Sequence, residues 1–427
     1  MEQLPLTTAD LAGWVSALLT LPVEAPDAER VDRIRLLEDL KGAIAAAQAR
    51  EAVALKRSVV AAEAERGVPA RNRGRGVGAQ VALARRESPH RGDRLMGLAE
   101  ALVNELPHTM AALTRGVISE WRATLVCRET ACLTRADRVE VDRRIAGRLA
   151  VLSDREVAAD ARQVGYQLDP HSVVARSARA EADRRVTLRP APDTMAILSA
   201  TLPVAQGVAL FAALTRAADT ARAGGDPRSR AQLMADTLVT RTTGQERADQ
   251  VPVEIQLVMN SATLLEAGTD PAQIPGFGPI PAALARALAT APDEATRVWL
   301  RRLYAAPRGG LVAMESKHRL FPASMRRFVR TRDQWCRTPW CGAPIRHTDH
   351  ALPSHQGGPT SIDNAQGLCE RCNQIKEAPG WRARPGPDGT VATTTPTGHT
   401  YRSTAPPLGV ISPPLYVDVW HRALAAA

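Results

Sequence analysis

The sequence predicts an α+β protein: a mostly helical N-terminal domain with a small inserted β-sheet, followed by a compact C-terminal module organised by metal-binding cysteines. Three observations carry this. Of 427 residues, 44% are hydrophobic but only 4% aromatic, and the apolar set is rich in alanine and leucine, which favour helices, whereas β-branched and aromatic residues favour strands. Apolar residues recur at three- to four-residue steps through most of the N-terminal two-thirds, the period of a helix with one buried face. Four of the six cysteines fall in two close pairs near the C-terminus. At roughly 100 to 200 residues per domain, the length calls for two to three domains.

Taken in order, the N-terminus carries Glu2 and Asp10 and no basic stretch before an apolar run, so no secretory signal is expected and a cytoplasmic location follows. From Asp27 to Val60, the positions Val31, Ile34, Leu37, Leu40 and Ile44 mark a long amphipathic helix. The polar, glycine-rich stretch Gly67 to Gly78 reads as a connection. Helical patterning resumes at Ala79 and, after Ser88-Pro89, covers Arg94 to Leu106, Thr109 to Arg128 and Thr134 to Leu152, with a turn at Glu129 to Leu133. It continues from Asp154 to Arg185. Arg185 to Arg189 and Met195 to Leu202 suggest a hairpin. Pro203 then opens a helix to about Ala221, with Thr201 as its cap, and a further helix spans Ser229 to Val239.

Val251 to Met259 alternates like a strand, and the Gly/Pro-rich passage Pro275 to Pro281 leads into helices over Ala282 to Leu303. Residues 1–305 are therefore read as one helical domain without a solenoid period. The uncharged stretch Thr194 to Thr215 contains Pro203, Gln206 and Gly207 and reads as strand, turn and buried helix, so no membrane span is expected. Gly74 to Ala79 fits a dinucleotide-binding template, but no apolar strand precedes it, and no small-molecule cofactor is expected. Cys127 and Cys132, about 140° apart on a helix, are read as reduced buried thiols. Arg91-Gly92-Asp93 is read as a charged helix entry.

Residues 316–384 differ from the rest. They hold 12 of the lysines and arginines against 5 acids, so 69 residues carry +7 of the net +10, together with four of nine histidines and three of seven tryptophans. A strong basic balance points to an acidic partner such as nucleic acid. Cys336-x4-Cys341 and Cys369-x2-Cys372 provide four thiolates on two short loops, which suits a tetrahedral structural zinc with no open position for water. Trp335, Trp340 and Trp381 are read as packing around this module.

Between the cysteine pairs lie Asp349-His350, Gly357-Gly358 and Asn364, and just past the last cysteine come Asn373 and Lys376. Over about 50 residues, from Arg332 to Trp381, this constellation resembles the HNH nuclease motif. The resemblance implies a ββα-metal module in which His350 is the general base, Asp349 and Asn373 hold a catalytic divalent cation, and Asn364 braces the loop. Asparagine in place of the commoner third histidine favours a hard cation, magnesium or manganese.

Lys376 is placed near a phosphate, and Arg326, Arg327, Arg330 and Arg332 form a basic helix face that is read equally as solvated surface or as a contact to DNA phosphates. His347 and His355 are read first as making ordinary structural hydrogen bonds, with a supporting role at the site as the lesser alternative, while His318 and His399 receive no role. Residues 385–427 read as a short β-meander and a proline-rich tail.

The whole chain also resembles an actinobacterial family in which an uncharacterised helical domain precedes the HNH signature, including the thirteen-E-twelve repeat proteins. The supporting stretches are Ala82 to Arg94, Arg185 to Leu188 and Leu368 to Trp381. The resulting expectation is a metal-dependent DNA endonuclease. The alternative is a zinc-stabilised DNA-binding protein of a mobile element whose nuclease activity has decayed. Oligomeric state is left open by the sequence.

Overall fold

The structure, a computed structural model, describes residues 7–22, 24–193, 195–244, 268–274, 278–290 and 320–406, with Met259 and Thr263. The chain divides into two compact units, residues 1–58 with 96–173, and residues 59–95 with 174–427. No helix among the described residues is long and apolar enough to cross a membrane.

The first unit contains α1 (Thr8–Leu19), most of α2 (Asp27–Glu65), most of α4 (Pro89–Asn104), α5 (Pro107–Thr114), α6 (Glu120–Thr130), α7 (Arg135–Ile145), α8 (Asp154–Leu168) and the start of α9 (Pro170–Ala182). Its core is aliphatic: Leu102, Leu106, Leu113, Val126, Val141, Ile145, Leu149 and Val157 are fully buried. Ser119, Thr134 and Ser153 cap α6, α7 and α8 by accepting from backbone N–H groups three residues on. The first N–H groups of α5 are satisfied from a distance. Buried Asp142 of α7 accepts from His108 N at 2.6 Å and Thr109 N at 2.9 Å.

Three expected helices are divided. The run Thr109 to Arg128 breaks into α5 and α6 at Gly116, which adopts φ +76. A Cβ there would stand 2.2 Å from the Asp39 carbonyl oxygen, so only glycine fits the close approach to α2. The run from Asp154 divides at Pro170, because the residue before a proline is pushed out of the helical region, and Asp169 has φ −143 and ψ 84. The run from Thr134 ends as α-helix at Ile145 and tightens into a 3₁₀ turn over Ala146–Arg148. The stripe on α2 is also only partly buried: Val31 and Ile34 are exposed, and burial begins at Gly42 and continues at Ala45 and Ala46. Cys127 and Cys132 are half-buried thiols not joined in a disulfide. Burial pushes the Cys127 thiol up against the opposing pull of Arg138.

The second unit begins its helices with the end of α2 and α3 (Val77–Ala84). The expected hairpin forms from β1 (Arg185–Pro190) and β2 (Ala196–Thr201), with Arg185 opposite Thr201 and Leu188 opposite Leu198. Thr201 therefore belongs to the ladder and is not a cap; Pro203 holds the cap position of α10 (Val204–Ala223), with no side-chain hydrogen bond. Ser229 and Gln232 form a capping box for α11 (Arg230–Thr243). β3 (Ala272–Ile274) pairs with β4 (Gly278–Ile280), two strands absent from the sequence reading, and α12 (Ala282–Thr290) follows. The strand expected at Val251 to Met259 lies outside the described residues except for Met259, as does the helix expected beyond Thr290.

The C-terminal module is also in this unit. It comprises α13 (Ala323–Asp333), β5 (His347–His350), β6 (Ala365–Leu368), α14 (Glu370–Lys376) and the antiparallel meander β7 (Arg382–Pro385), β8 (Val391–Thr394) and β9 (Thr400–Ser403). The strands β5 and β6 pair antiparallel, with His347 opposite Leu368 and His350 opposite Ala365. On α13, Met325 and Val329 join Phe321, Ile362 and Ala365 in one buried cluster.

A second cluster ties α3 to this module. Ala79 and Leu83 pack on Trp381, with Ile375, Ala378 and Tyr401 around them. Thr397 Oγ1 donates to Gln80 Oε1 at 3.0 Å, and Arg371 pairs with Asp93.

Candidate active site and zinc centre

Two loops bring the four cysteines together. Cys336 and Cys341 lie on the turn after α13, fixed by Cys336 N donating to Ala343 O at 2.9 Å. Cys369 and Cys372 belong to the start of α14, where Cys369 is the cap and its Sγ accepts from Cys372 N at 3.4 Å. The four sulfurs lie within 4.8 Å of one another. A sulfur tetrahedron at the usual zinc–sulfur distance of about 2.3 Å has edges of about 3.8 Å, and Cys341 stands 3.8 Å from Cys369 and 3.7 Å from Cys372. The donor set thus fits zinc, and all four positions around it would be filled. The thiols polarise one another: hydrogen bonding with neighbouring sulfurs lowers Cys336 and Cys369 and raises Cys341 and Cys372.

Strand β5 and helix α14 carry the other chemistry. His350 closes β5 and is buried, its ring 4.5 Å from that of Phe321 and tilted by 42°. Its Nε2 lies 2.9 Å from Thr360 Oγ1, and its Nδ1 lies 3.7 Å from Asp349 Oδ1. Asp349 Oδ1 also accepts from His350 N at 2.8 Å. Its other oxygen meets Lys376 Nζ at 2.6 Å. Lys376 further donates to the His350 carbonyl at 2.8 Å and pairs with Glu377 at 3.2 Å, so its ammonium is buried beside Asp349 and His350. Asn373 offers a buried Oδ1 without a hydrogen-bond donor. An orphaned amide oxygen and a carboxylate on adjoining elements are hard ligands suited to magnesium or manganese.

Asn364 is 2% exposed and fastens the β5–β6 loop. Its Oδ1 accepts from Leu352 N at 2.8 Å, while its Nδ2 donates to the carbonyls of Leu352 at 3.0 Å and Pro359 at 2.8 Å. The loop closes on glycine: Gly357 has φ +84, and a Cβ at Gly358 would stand 1.8 Å from the Leu352 carbonyl oxygen.

The basic helix face is divided. Arg326, Arg327 and Arg330 are exposed on α13, but Arg332 is buried. Its guanidinium donates to the carbonyls of Ile362 and Ala365, both at 2.7 Å, and pairs with Asp333 at 2.7 Å. It therefore has no face left for phosphate, in contrast to the sequence expectation.

Asp333 also pairs with Arg337 at 2.9 Å and accepts from Gly367 N at 2.7 Å. Arg337 in turn donates to the carbonyls of Gly389 and Ser403, linking the core of the module to the meander. The sequence reading missed Asp333, Arg337 and Thr360. The i, i+4 spacing of Asp333 and Arg337 was a usable signal, whereas nothing in the pattern around Thr360 points to His350.

A family described as a domain of unknown function, DUF222, matches residues 41–333, and the HNH endonuclease family matches residues 336–378. Among curated proteins, the uncharacterized protein Rv3776 of Mycobacterium tuberculosis is 39% identical over 107 residues, 24% of this chain and 19% of that one. The uncharacterized protein Rv2100 of the same organism is 38% identical over 106 residues, 24% of this chain and 18% of its own length. The matched stretch thus spans about a fifth of the length of these curated relatives. No solved structure matches the chain.

Proposed function

The chain belongs to the DUF222 family and carries an HNH endonuclease domain behind the DUF222 region, and from that premise we propose that it is a metal-dependent endonuclease hydrolysing DNA phosphodiester bonds with His350 as general base. The observation that carries the reading is the grouping of a buried imidazole, a carboxylate and an orphaned amide oxygen on β5 and α14.

A neutral imidazole can accept a proton from water. For Nδ1 to be the acceptor, Nε2 carries the hydrogen and donates it to Thr360 Oγ1, 2.9 Å away. Asp349 and Asn373 would hold the catalytic cation, which when bound supplies positive charge for the scissile phosphate and the departing oxygen. Lys376 fastens the Asp349 carboxylate and the His350 carbonyl to α14. Asn364 keeps the loop between the two strands closed, and the four cysteines would hold the start of α14 in place around a structural zinc. Arg326, Arg327 and Arg330 contact backbone phosphates.

The test is nicking of supercoiled plasmid with magnesium or manganese, wild type beside His350→Ala. The substitution is expected to slow cleavage roughly 10²- to 10⁴-fold. Equal rates would remove His350 from the role of base. No cleavage by either protein, with DNA binding intact, would favour the binding-only reading.

A further inference from the structure

The meander β7–β9 lies beyond the stretch matched by the HNH family, and nothing in the proposed reaction uses it. Its two faces differ in chemistry. One is buried: Ala383 and Val391 pack with Ala351, the residue directly after His350. The other face follows from the register. Arg384, Ala392 and Arg402 form one row across the three strands, and Arg382, Thr394 and Thr400 form the next. Side chains two apart along a strand share a face, so three guanidiniums and two hydroxyls stand together. All three arginines are exposed.

None of the three forms an ion pair with an acid whose side chain is described, and none of the strand residues is acidic. This contrasts with Arg332 and Arg337, which are buried and share the carboxylate of Asp333 inside the module. The Thr394 and Thr400 hydroxyls lie 2.9 Å apart on the same face. Arginines 382 and 384 are separated by about 7 Å along the strand, and the outer strands by about 10 Å. Small Ala392 at the centre leaves room for close approach. An exposed triad of guanidiniums, the side chain whose planar fork matches phosphate oxygens, is complementary to a polyanion with regularly spaced phosphates.

We infer that the outer face of the meander is a phosphate-backbone contact for duplex DNA, made by Arg382, Arg384 and Arg402 and separate from the exposed arginines of α13. The inference rests on the reading of the module as a DNA endonuclease and adds to it a second anchoring surface. Because the opposite face of the same sheet packs on Ala351, DNA held there is in fixed register with His350. The contact carries no base readout, so it strengthens binding to any duplex alike.

The experiment measures binding of a 30-base-pair duplex to the full chain carrying His350→Ala, which prevents cleavage, across 50 to 200 mM salt. It compares this parent with Arg382→Gln/Arg384→Gln/Arg402→Gln and with the corresponding triple lysine variant. Each lost phosphate contact lowers the slope of log affinity against log salt by about 0.9, so the glutamine triple is expected to lose about 2.7. It then forfeits roughly 40-fold less affinity over that salt range than the parent. The lysine triple should keep the parental slope.

An unchanged slope in the glutamine triple, with the parent binding DNA, overturns the inference and leaves the nuclease reading standing. Absence of duplex binding by the parent overturns both. If phosphatidylserine vesicles bind the parent more tightly than duplex does, and the glutamine triple abolishes that, the face belongs to a membrane surface and the inference falls. A melting temperature matching the parent confirms that the exposed substitutions leave the fold intact.

Discussion

The hydroxyl of Thr360 lies 2.9 Å from His350 Nε2 and helps to orient the imidazole proposed as the base. Thr360→Val keeps the shape and removes the hydrogen bond. Plasmid nicking is expected to fall about 10- to 100-fold, the scale for losing a partner that orients an active imidazole, with a displaced acidic limb in the pH–rate profile and little change in melting. Asp333 is a different kind of residue. Its carboxylate is fully buried between Arg332 and Arg337, and Asp333→Ala leaves two buried guanidiniums without their anion. A loss of roughly 3–5 kcal/mol is expected in urea unfolding. The spacing of Asp349, His350, Asn364 and Asn373 was visible in the sequence because motif residues keep fixed intervals along one short stretch. Thr360 was not, because its partnership depends on how the β5–β6 loop folds back. Arg332 illustrates the converse: a positive charge beside other positive charges looks like solvated surface until the carbonyls that surround it are known.

At the level of elements, the four-cysteine cluster and helix α3 both belong to the C-terminal module although α3 lies far upstream of it in sequence. Freshly purified protein should contain about one equivalent of zinc, and a chelator is expected to abolish cooperative unfolding of the module, reported by Trp340 and Trp381 fluorescence. Most far-UV helical signal should persist, since helices α4 to α8 share a separate aliphatic core. Leu83→Ala removes a buried side chain from under Trp381 and should destabilise the module by about 2–5 kcal/mol.

The helical unit has its own acid sensitivity. Burial works against ionisation of Glu129, yet hydrogen bonds from Arg162 and Arg128 outweigh it and hold its carboxyl below the usual range. A carboxylate lowered in the folded state contributes stability fully above the unfolded value, near about 4.3, and loses it as pH falls through the folded value. Glu129→Gln should therefore flatten the fall in melting temperature below about pH 4.3. Most helices were legible from their apolar period. Where one run became two, the cause was local: a left-handed glycine at 116 and a proline at 170.

Across the whole molecule, the basic excess noted in residues 316–384 separates into charges with opposite fates. Arg332 and Arg337 are consumed in a buried network, and Arg326, Arg327 and Arg330 remain exposed. Composition cannot distinguish these, because burial depends on contacts made after folding. The division into compact units was hidden for a similar reason. Residues 77–95 lie far from the C-terminal module in sequence, and only packing shows that Ala79, Leu83, Gln80 and Asp93 join it.

A fragment starting at residue 316 would lack all of those partners. It is expected to melt at lower temperature than the module does within the full chain, which calorimetry on the zinc-loaded proteins would measure.

The hydrogen bond between Gln80 and Thr397 spans 317 positions. At a synthesis rate of roughly 5–20 residues per second, its second half emerges on the order of 15 to 60 s after its first. Throughout that interval the apolar face of α3 has no Trp381 to cover it. The timing of translation thus decides when the site is assembled: the chain makes a foundation early, waits, and completes the nuclease module only when its last strands arrive.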